Sequence, residues 1–430
     1  LLAQKYHVVV TNPPYMAVSN ASGKVQEYIK KNFPDSKADL FAVFIERCGQ
    51  MATEYQAMIT QQSWMFLSSF EKLRAKLQAV DTVNMAHLGP RAFEEIGGEV
   101  VQTTSFVMRK SHIKDYKGIY CRLIEPTTQQ GKEEMFLAGE NRYTAQQNNF
   151  SKIPGAPVAY WIGNAFFSAF ENKKIGEYVI SDGQTKTGNN DKYLRLLWEV
   201  DHSKVGKKRK WVLHAKGGTF RRWFGNVDTL IDWSDEAREH YRSDHVARIA
   251  PEYIWFRDGI CWTLISSSSQ HGFRLLEDNS TFNLAAPSIF LRESDNLLYI
   301  LGYLNSKISE TIISLLNPTL NTNISDITSQ PLIFPNETIF EKVSLLVKEN
   351  IALSRADWDS FETSWDFKGH PLVLGRLPEP VWGDVPDEVA FQNTSISYTY
   401  KIFWERQCEY RFNKLKENEE ELNRIFIEIY

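Results

Sequence analysis

Asn12-Pro13-Pro14-Tyr15 follows directly on a run of β-branched residues, Tyr6 to Thr11 (YHVVVT). Each residue type has a chemical use at that place. Asparagine offers a side-chain carbonyl oxygen. Pro13 leaves the preceding backbone carbonyl without a competing turn partner, and Pro14 stiffens the loop. Tyr15 adds a flat face on which a planar base can stack. Together these groups suit an exocyclic amine such as the adenine N6. Its lone pair is delocalised into the ring. Hydrogen bonds to two acceptors, the Asn oxygen and a backbone carbonyl, draw the nitrogen toward tetrahedral geometry and free that lone pair. No acid, metal or covalent nucleophile is needed. A glutamine side-chain amide has a similar planar NH2, so the four residues set a reaction class and leave the substrate open.

Rival chemistries find little. No PD-(x)n-ExK arrangement follows a strand, and HExxH and paired-His spacings are missing from the nine histidines. Cys48, Cys121, Cys261 and Cys408 are scattered with no CxxC pair, which fits a reducing cytoplasm and no zinc site. No metal is expected. With 43% hydrophobic and 24% charged residues the chain is globular in composition. No apolar run is long enough for a membrane span, and no secretory signal is expected.

The elements that must position the motif read as strand alternating with helix. Strands are expected at Tyr6–Thr11, 57–60, 83–88 and 100–108. Asp39 offers an N-cap to a helix with Leu40, Phe41, Phe44, Ile45, Cys48 and Met51 on one face, and Phe70, Leu73 and Leu77 mark another. This is the pattern of a doubly wound α/β sheet, with the last two strands an antiparallel pair at one edge. Residues 1–126 form this part. Polar stretches and the turn-rich IPGAP make 127–180 a connector. Residues 181–395, with WVLH (211–214), YIWF (253–256), CWTLI (261–265) and SIFL (288–291), form an α+β second domain. Residues 396–430 form an amphipathic helix, with Cys408, Phe412, Leu415, Leu422, Phe426 and Ile429 on one stripe and Glu419 in its skipped slot.

NPPY after a hydrophobic strand resembles motif IV of the amino-methyltransferases. The segments QSWMFLSSFEKLR (62–74), HLGPRAFEEIGGEVVQTTSFVMRK (87–110) and SRADWDSFETSWDF (354–367) resemble the adenine-specific DNA methyltransferases of the BREX phage-defence system. More loosely, the chain is similar to type IIG restriction-modification enzymes. DGQTKTGNNDKYLR (182–195) and LGYLNSKI followed by LNPTLNTNISDITSQPLI resemble the opening and closing segments of their target-recognition region. The resemblance implies a site-specific N6-adenine methyltransferase acting on a flipped adenine. It implies that Asn12, Pro13, Pro14 and Tyr15 bind that base, and that Phe93 is the second stacking wall, Phe106 being the alternative inside a strand. It also implies S-adenosylmethionine as cofactor, double-stranded DNA as partner, and other defence-system proteins as further partners. The alternatives are a bifunctional type IIG enzyme and a non-catalytic DNA-recognition subunit. A glutamine methyltransferase fits less well, since those enzymes lack a large basic second domain.

One departure stands out. The cofactor loop of such enzymes has the form Phe-x-Gly-x-Gly, yet no two of the 23 glycines here stand two positions apart. The chain also opens without Met, almost inside a strand. The expectation is a C-terminal fragment holding the second half of the catalytic sheet and a complete recognition domain. Alone it should bind DNA but neither the cofactor nor, therefore, transfer a methyl group.

The net charge is −4, so any DNA surface must be local. Between Asp201 and Gly225 there are eight basic residues and one acid, a net of +7. Trp211, Phe220, Trp223 and Phe224 interleave with the charges. Lys216, Arg221 and Arg222 are the expected DNA contacts here, with Lys186 and Asn190 in the 182–195 segment.

Overall fold

The computed structural model describes residues 4–93, 101–265, 270–317, 319–370 and 404–430, with Leu372, Ser397 and Tyr400. The chain divides into two compact units, Leu1–Glu171 with Leu315–Pro318, and Asn172–Ser314 with Thr319–Tyr430.

The first unit is built on a six-stranded sheet of β1 (Tyr6–Thr11), β2 (Ala52–Gln61), β3 (Asp81–Gly89), β4 (Thr103–Arg109), β5 (Lys117–Arg122) and β6 (Arg142–Gln146). Its order is β1-β2-β4-β3-β5-β6. β1 pairs parallel with β2, and β3 parallel with β5, while β4 is antiparallel to both its neighbours. β1, β2, β3 and β5 therefore all end on one edge of the sheet. The alternation in β2 places Gln56, Met58 and Thr60 inside and leaves the intervening residues partly exposed. Asp39 caps the helix Leu40–Met51 by accepting from Phe41 N, and that helix buries Phe41, Ala42, Val43, Ile45 and Cys48.

Three features differ from expectation. β4 is antiparallel to β3 but is inserted between β2 and β3, not at an edge, because β5 and β6 continue the sheet beyond β3. The segment expected as a connector supplies the helix Gln129–Ala138 and β6, which pairs with β5 from Lys117↔Gln146 to Cys121↔Arg142. Its polar composition reflects an edge strand and a surface helix, not a linker. YHVVVT, whose β-branched run is typical of a buried parallel strand, is not buried. Among the described residues β1 pairs with β2 alone, and Val8 and Val10 are 52% and 71% exposed.

The second unit holds two four-stranded sheets. One is made of β8 (Leu194–Leu196), β9 (Trp211–Ala215), β10 (Thr229–Asp232) and β13 (Ser280–Phe282), in the order β13-β9-β10-β8. The other is made of β7 (Val179–Ile180), β11 (Gly259–Trp262), β12 (Phe273–Leu276) and β14 (Ser288–Leu291), in the order β12-β11-β14-β7. YIWF is not a strand. It is a 3-10 turn followed by Phe256 at φ 51°, and its rings pack on Trp233. The final helix, Glu405–Ile429, buries Gln407, Arg411, Asn418, Leu422, Ile425 and Phe426. Leu422 and Phe426 are as expected, but Phe412 is 67% exposed. The buried face includes polar side chains because they are paired. Asn418 Nδ2 donates to Glu349 (2.8 Å) and to Asn350 Oδ1 (3.0 Å) on the helix Glu337–Trp358.

Candidate active site

The NPPY residues leave the carboxyl end of β1 at the edge where β2, β3 and β5 also end. Asn12 is exposed, Pro13 buried, Pro14 exposed and Tyr15 half-buried. The chain after Tyr15 is held by the next helix. Met16 N donates to Asp39 Oδ1 at 3.0 Å, and Leu40 N donates to Met16 O at 3.0 Å. Asp39 thus fixes the loop and caps the helix with the same oxygen. Burial raises the Asp39 carboxyl against the lowering effect of these backbone donors. The Tyr15 ring stands edge-on to fully buried Phe41, centroids 6.3 Å apart. Its hydroxyl donates to Asn12 Oδ1 at 3.2 Å, and burial pushes its pKa up to about 12. The oxygen suited to receive a substrate N–H is therefore held in place by a neutral phenol.

A second polar group on this edge is not evident from residue spacing. Tyr160 Oη and His87 Nδ1 are 2.9 Å apart, and His87 Nε2 and Gln62 Oε1 are 2.6 Å apart. Gln62 Nε2 in turn donates to Gln102 Oε1 at 2.6 Å. Because an amide oxygen only accepts, Nε2 carries the imidazole proton and Nδ1 accepts from the phenol. Burial pulls the His87 pKa down to about 3, so the ring is neutral. The chain of donors runs one way, from Tyr160 to Gln102, and locks the side chains where β2 and β3 end. Gln61-Gln62 at the carboxyl end of β2 was the available signal.

Phe93 is half-buried, next to residues outside those described, and no ring or hydrogen-bond contact joins it to Asn12 or Tyr15 among the described residues. Phe106 is buried on β4, 5.4 Å from the Trp64 ring, and is core.

The basic stretch splits. Arg221 pairs with Asp357 at 2.9 Å and lies over the Trp358 ring. Arg222 pairs with Glu419 at 2.7 Å, and Trp223 Nε1 donates to the other oxygen of that carboxylate at 2.8 Å. Glu419 fills the gap in the apolar stripe because it receives both donors. The two arginines expected to face DNA are engaged inside the second unit. Lys207 and Lys210 also meet acids, Asp278 and Asp232. Lys204, Lys208, Arg209 and Lys216 are exposed, with no ion pair among the described residues. Lys186 is exposed and exchanges backbone hydrogen bonds with Arg248. Asn190 accepts from Thr187 Oγ1 at 2.8 Å, which makes it part of a turn.

Residues 2–87 match the Eco57I restriction-modification methylase family. The "Adenine-specific methyltransferase PglX" of Lacticaseibacillus casei (strain Zhang) is 36% identical over 455 residues, covering 100% of this chain and 36% of that protein. The chain is similar to PglX along its whole length. The "Adenine-specific methyltransferase BrxX" of Escherichia coli O9:H4 (strain HS) is 37% identical over 383 residues, covering 87% of this chain and 31% of that one. The chain thus spans about a third of the length of these relatives. Among solved structures, the type IIL restriction-modification enzyme MmeI in complex with DNA aligns with a TM-score of 0.56 at 11% identity. That likeness covers 98% of this chain and 54% of MmeI, and it shows a shared fold. The α/β class expected from the alternation of strand and helix is the observed one.

The residues present do not supply a cofactor site of the expected kind. The glycine pattern is absent from the sequence, and among the described residues β1, the strand before NPPY, pairs with β2 alone. Among the described residues no cluster of His, Cys, Asp and Glu is suited to a metal, and no helix is long and apolar enough to cross a membrane.

Proposed function

We propose that this chain supplies the amine-binding half and the DNA-recognition part of a site-specific N6-adenine DNA methyltransferase. The observation that carries this reading is the Asn12 carbonyl, presented at the carboxyl end of β1 and held by Tyr15. An extruded adenine takes the place of the phenol proton at Asn12 Oδ1. It gives one N6 proton to that oxygen and the other to the backbone carbonyl beside Pro13, and it stacks on Tyr15. The lone pair then points away from the ring plane, toward an incoming methyl group. S-adenosylmethionine is the donor that the relatives' names imply, but this chain has no glycine loop for it. The residues here are assigned only the amine's side of the transfer. The edge of β1 away from β2 is where a doubly wound sheet continues toward such a loop. Duplex DNA is the proposed substrate, met by the exposed Lys204, Lys208, Arg209 and Lys216. The cytoplasm is the proposed compartment.

The test is the N6-methyladenine content of DNA from the organism encoding this chain, with wild-type sequence or Asn12→Ala in its native setting. Loss of the modification at the recognised sites is expected. Unchanged modification would mean that Asn12 holds no substrate amine.

The missing glycine pattern favours a second reading, a DNA-recognition part that transfers nothing itself. Calorimetry with S-adenosylmethionine on the 430-residue chain separates its two outcomes. No binding is expected, and micromolar binding would reveal a cofactor site of another kind.

A further inference from the structure

Of the three buried arginines among the described residues, Arg74 and Arg274 are the most enclosed, and they are treated differently. Arg74 is 3% exposed and gives three hydrogen bonds of 2.8 Å, to Gly155 O, Trp64 O and Leu67 O. It is a satisfied brace. Arg274, on β12, is 1% exposed, and its hydrogen bonds are long. Nη1 reaches Arg221 O at 3.3 Å, and Nη2 reaches Thr263 Oγ1 at 3.4 Å and Gly217 O at 3.5 Å. Its Nε has no partner among the described residues. No carboxylate pairs with it among the described residues; a further neighbour is the Cys261 thiol, whose pKa burial raises against the lowering effect of the Arg274 charge and a hydrogen bond from it. A buried guanidinium with neutral, distant acceptors and an idle N–H is costly unless an anion completes it.

Arg274 lines a cavity of about 640 Å3, within the roughly 300–1,000 Å3 range of small-molecule sites. Gly218 and His271 form part of its wall. Three large apolar side chains, Phe220, Ile265 and Leu320, stand around it and are 48%, 63% and 59% exposed. Exposed apolar groups gathered at one opening mark a binding place. A plain apolar ligand would leave the guanidinium unmatched. A bare inorganic anion would leave the apolar rim wet. A ligand with an anionic group and a flat ring satisfies both.

We propose that this cavity binds a nucleotide unit, with its phosphate on Arg274 and its base against Phe220 and the Ile265 and Leu320 rim. The nucleotide comes either free or as part of a DNA strand. Guanidinium and phosphate pair through charge-assisted hydrogen bonds, and the aromatic ring stacks on the base. The site stands independently of the adenine pocket at Asn12.

The test uses the whole 430-residue chain with thymidine monophosphate, which carries no exocyclic amine for the NPPY residues. Calorimetry should show saturable binding, at least tenfold tighter than for thymidine or inorganic phosphate alone. Arg274→Met should weaken it at least tenfold. Ile265→Glu places a carboxylate at an exposed rim position, so it should repel the phosphate without harming the fold, as a thermal melt will show. A 5′-phosphorylated oligothymidine that displaces the mononucleotide identifies DNA as the source, and failure to displace identifies the free nucleotide. If neither probe binds saturably, or if Ile265→Glu leaves binding unchanged, the proposal falls. No methyl transfer is read, so that outcome leaves the Asn12 assignment untouched.

Discussion

The Tyr15 hydroxyl donates to Asn12 Oδ1 at 3.2 Å, and in the proposed reading this bond occupies the acceptor that a substrate amine would use. With its pKa at about 12 the phenol remains a donor throughout the neutral range. In that reading an incoming amine displaces it.

Two substitutions at Tyr15 separate its roles. Tyr15→Phe keeps the ring and frees the Asn12 oxygen, so methylation should stay within about threefold of wild type, with substrate binding unchanged or tighter. Tyr15→Ala removes the stacking face and should weaken binding of the base by about 1–3 kcal/mol. Equal losses in both variants, measured as kcat/KM for adenine methylation by the whole enzyme, would mean that the hydroxyl does more than hold Asn12.

His87 should make the first unit acid-sensitive. Its ring has an ordinary pKa near 6.5 when unfolded and about 3 when folded. Below pH 6.5 the unfolded chain takes up a proton that the folded chain refuses. The stability held by the neutral ring is full above 6.5 and is lost as the pH falls toward 3. Each such histidine contributes a slope of up to about 1.4 kcal/mol per pH unit. Denaturant midpoints compared between pH 7 and pH 5 should fall in wild type and fall less in His87→Gln. Identical slopes in the two proteins would rule out the buried ring as the cause.

DNA binding should depend on exposed cations, not on the paired arginines. Replacing Lys204, Lys208, Arg209 and Lys216 by Gln should lower the slope of log K against log salt by up to about 0.9 for each phosphate that is no longer neutralised. Arg221→Gln should leave that slope nearly unchanged, since Asp357 already engages its guanidinium. The reverse ranking, in titrations over a salt series, would return Arg221 to the DNA surface.

Glu419 joins the last helix to the Arg222-Trp223 segment. Glu419→Ala leaves two partly buried donors without an acceptor and should cost about 1–3 kcal/mol. Glu419→Gln, which still accepts one of them, should cost less. A thermal or urea transition unchanged in Glu419→Ala would show that the helix is held without its contact to Arg222 and Trp223.

The parts of the fold written in local pattern were legible beforehand. YHVVVT, the Asp39 cap and the helix behind it are set by neighbours in sequence, and so is the placement of NPPY at a strand end. What depended on distant partners was not. β4 inserts between β2 and β3 through pairings that residue patterning does not encode, and β6 looked like part of a polar connector because it is the edge strand of the sheet. Arg221 and Arg222 read as a DNA surface because their counter-charges, Asp357 and Glu419, lie 136 and 197 residues away. His87 was one residue in a strand until Tyr160 and Gln62 closed around it. Charge clusters in sequence show where cations are plentiful, while burial and pairing decide which of them remain free.

The most direct measurement is the single-turnover rate of adenine methylation by the whole enzyme, wild type against Asn12→Ala, with DNA affinity measured in parallel. The Asn12 hydrogen bond strengthens as the amine becomes tetrahedral, so its loss should fall on the chemical step. The predicted result is a rate reduced by several tens-fold or more, with the DNA dissociation constant within about twofold of wild type. A rate within about threefold of wild type would contradict the assignment of Asn12 to the amine.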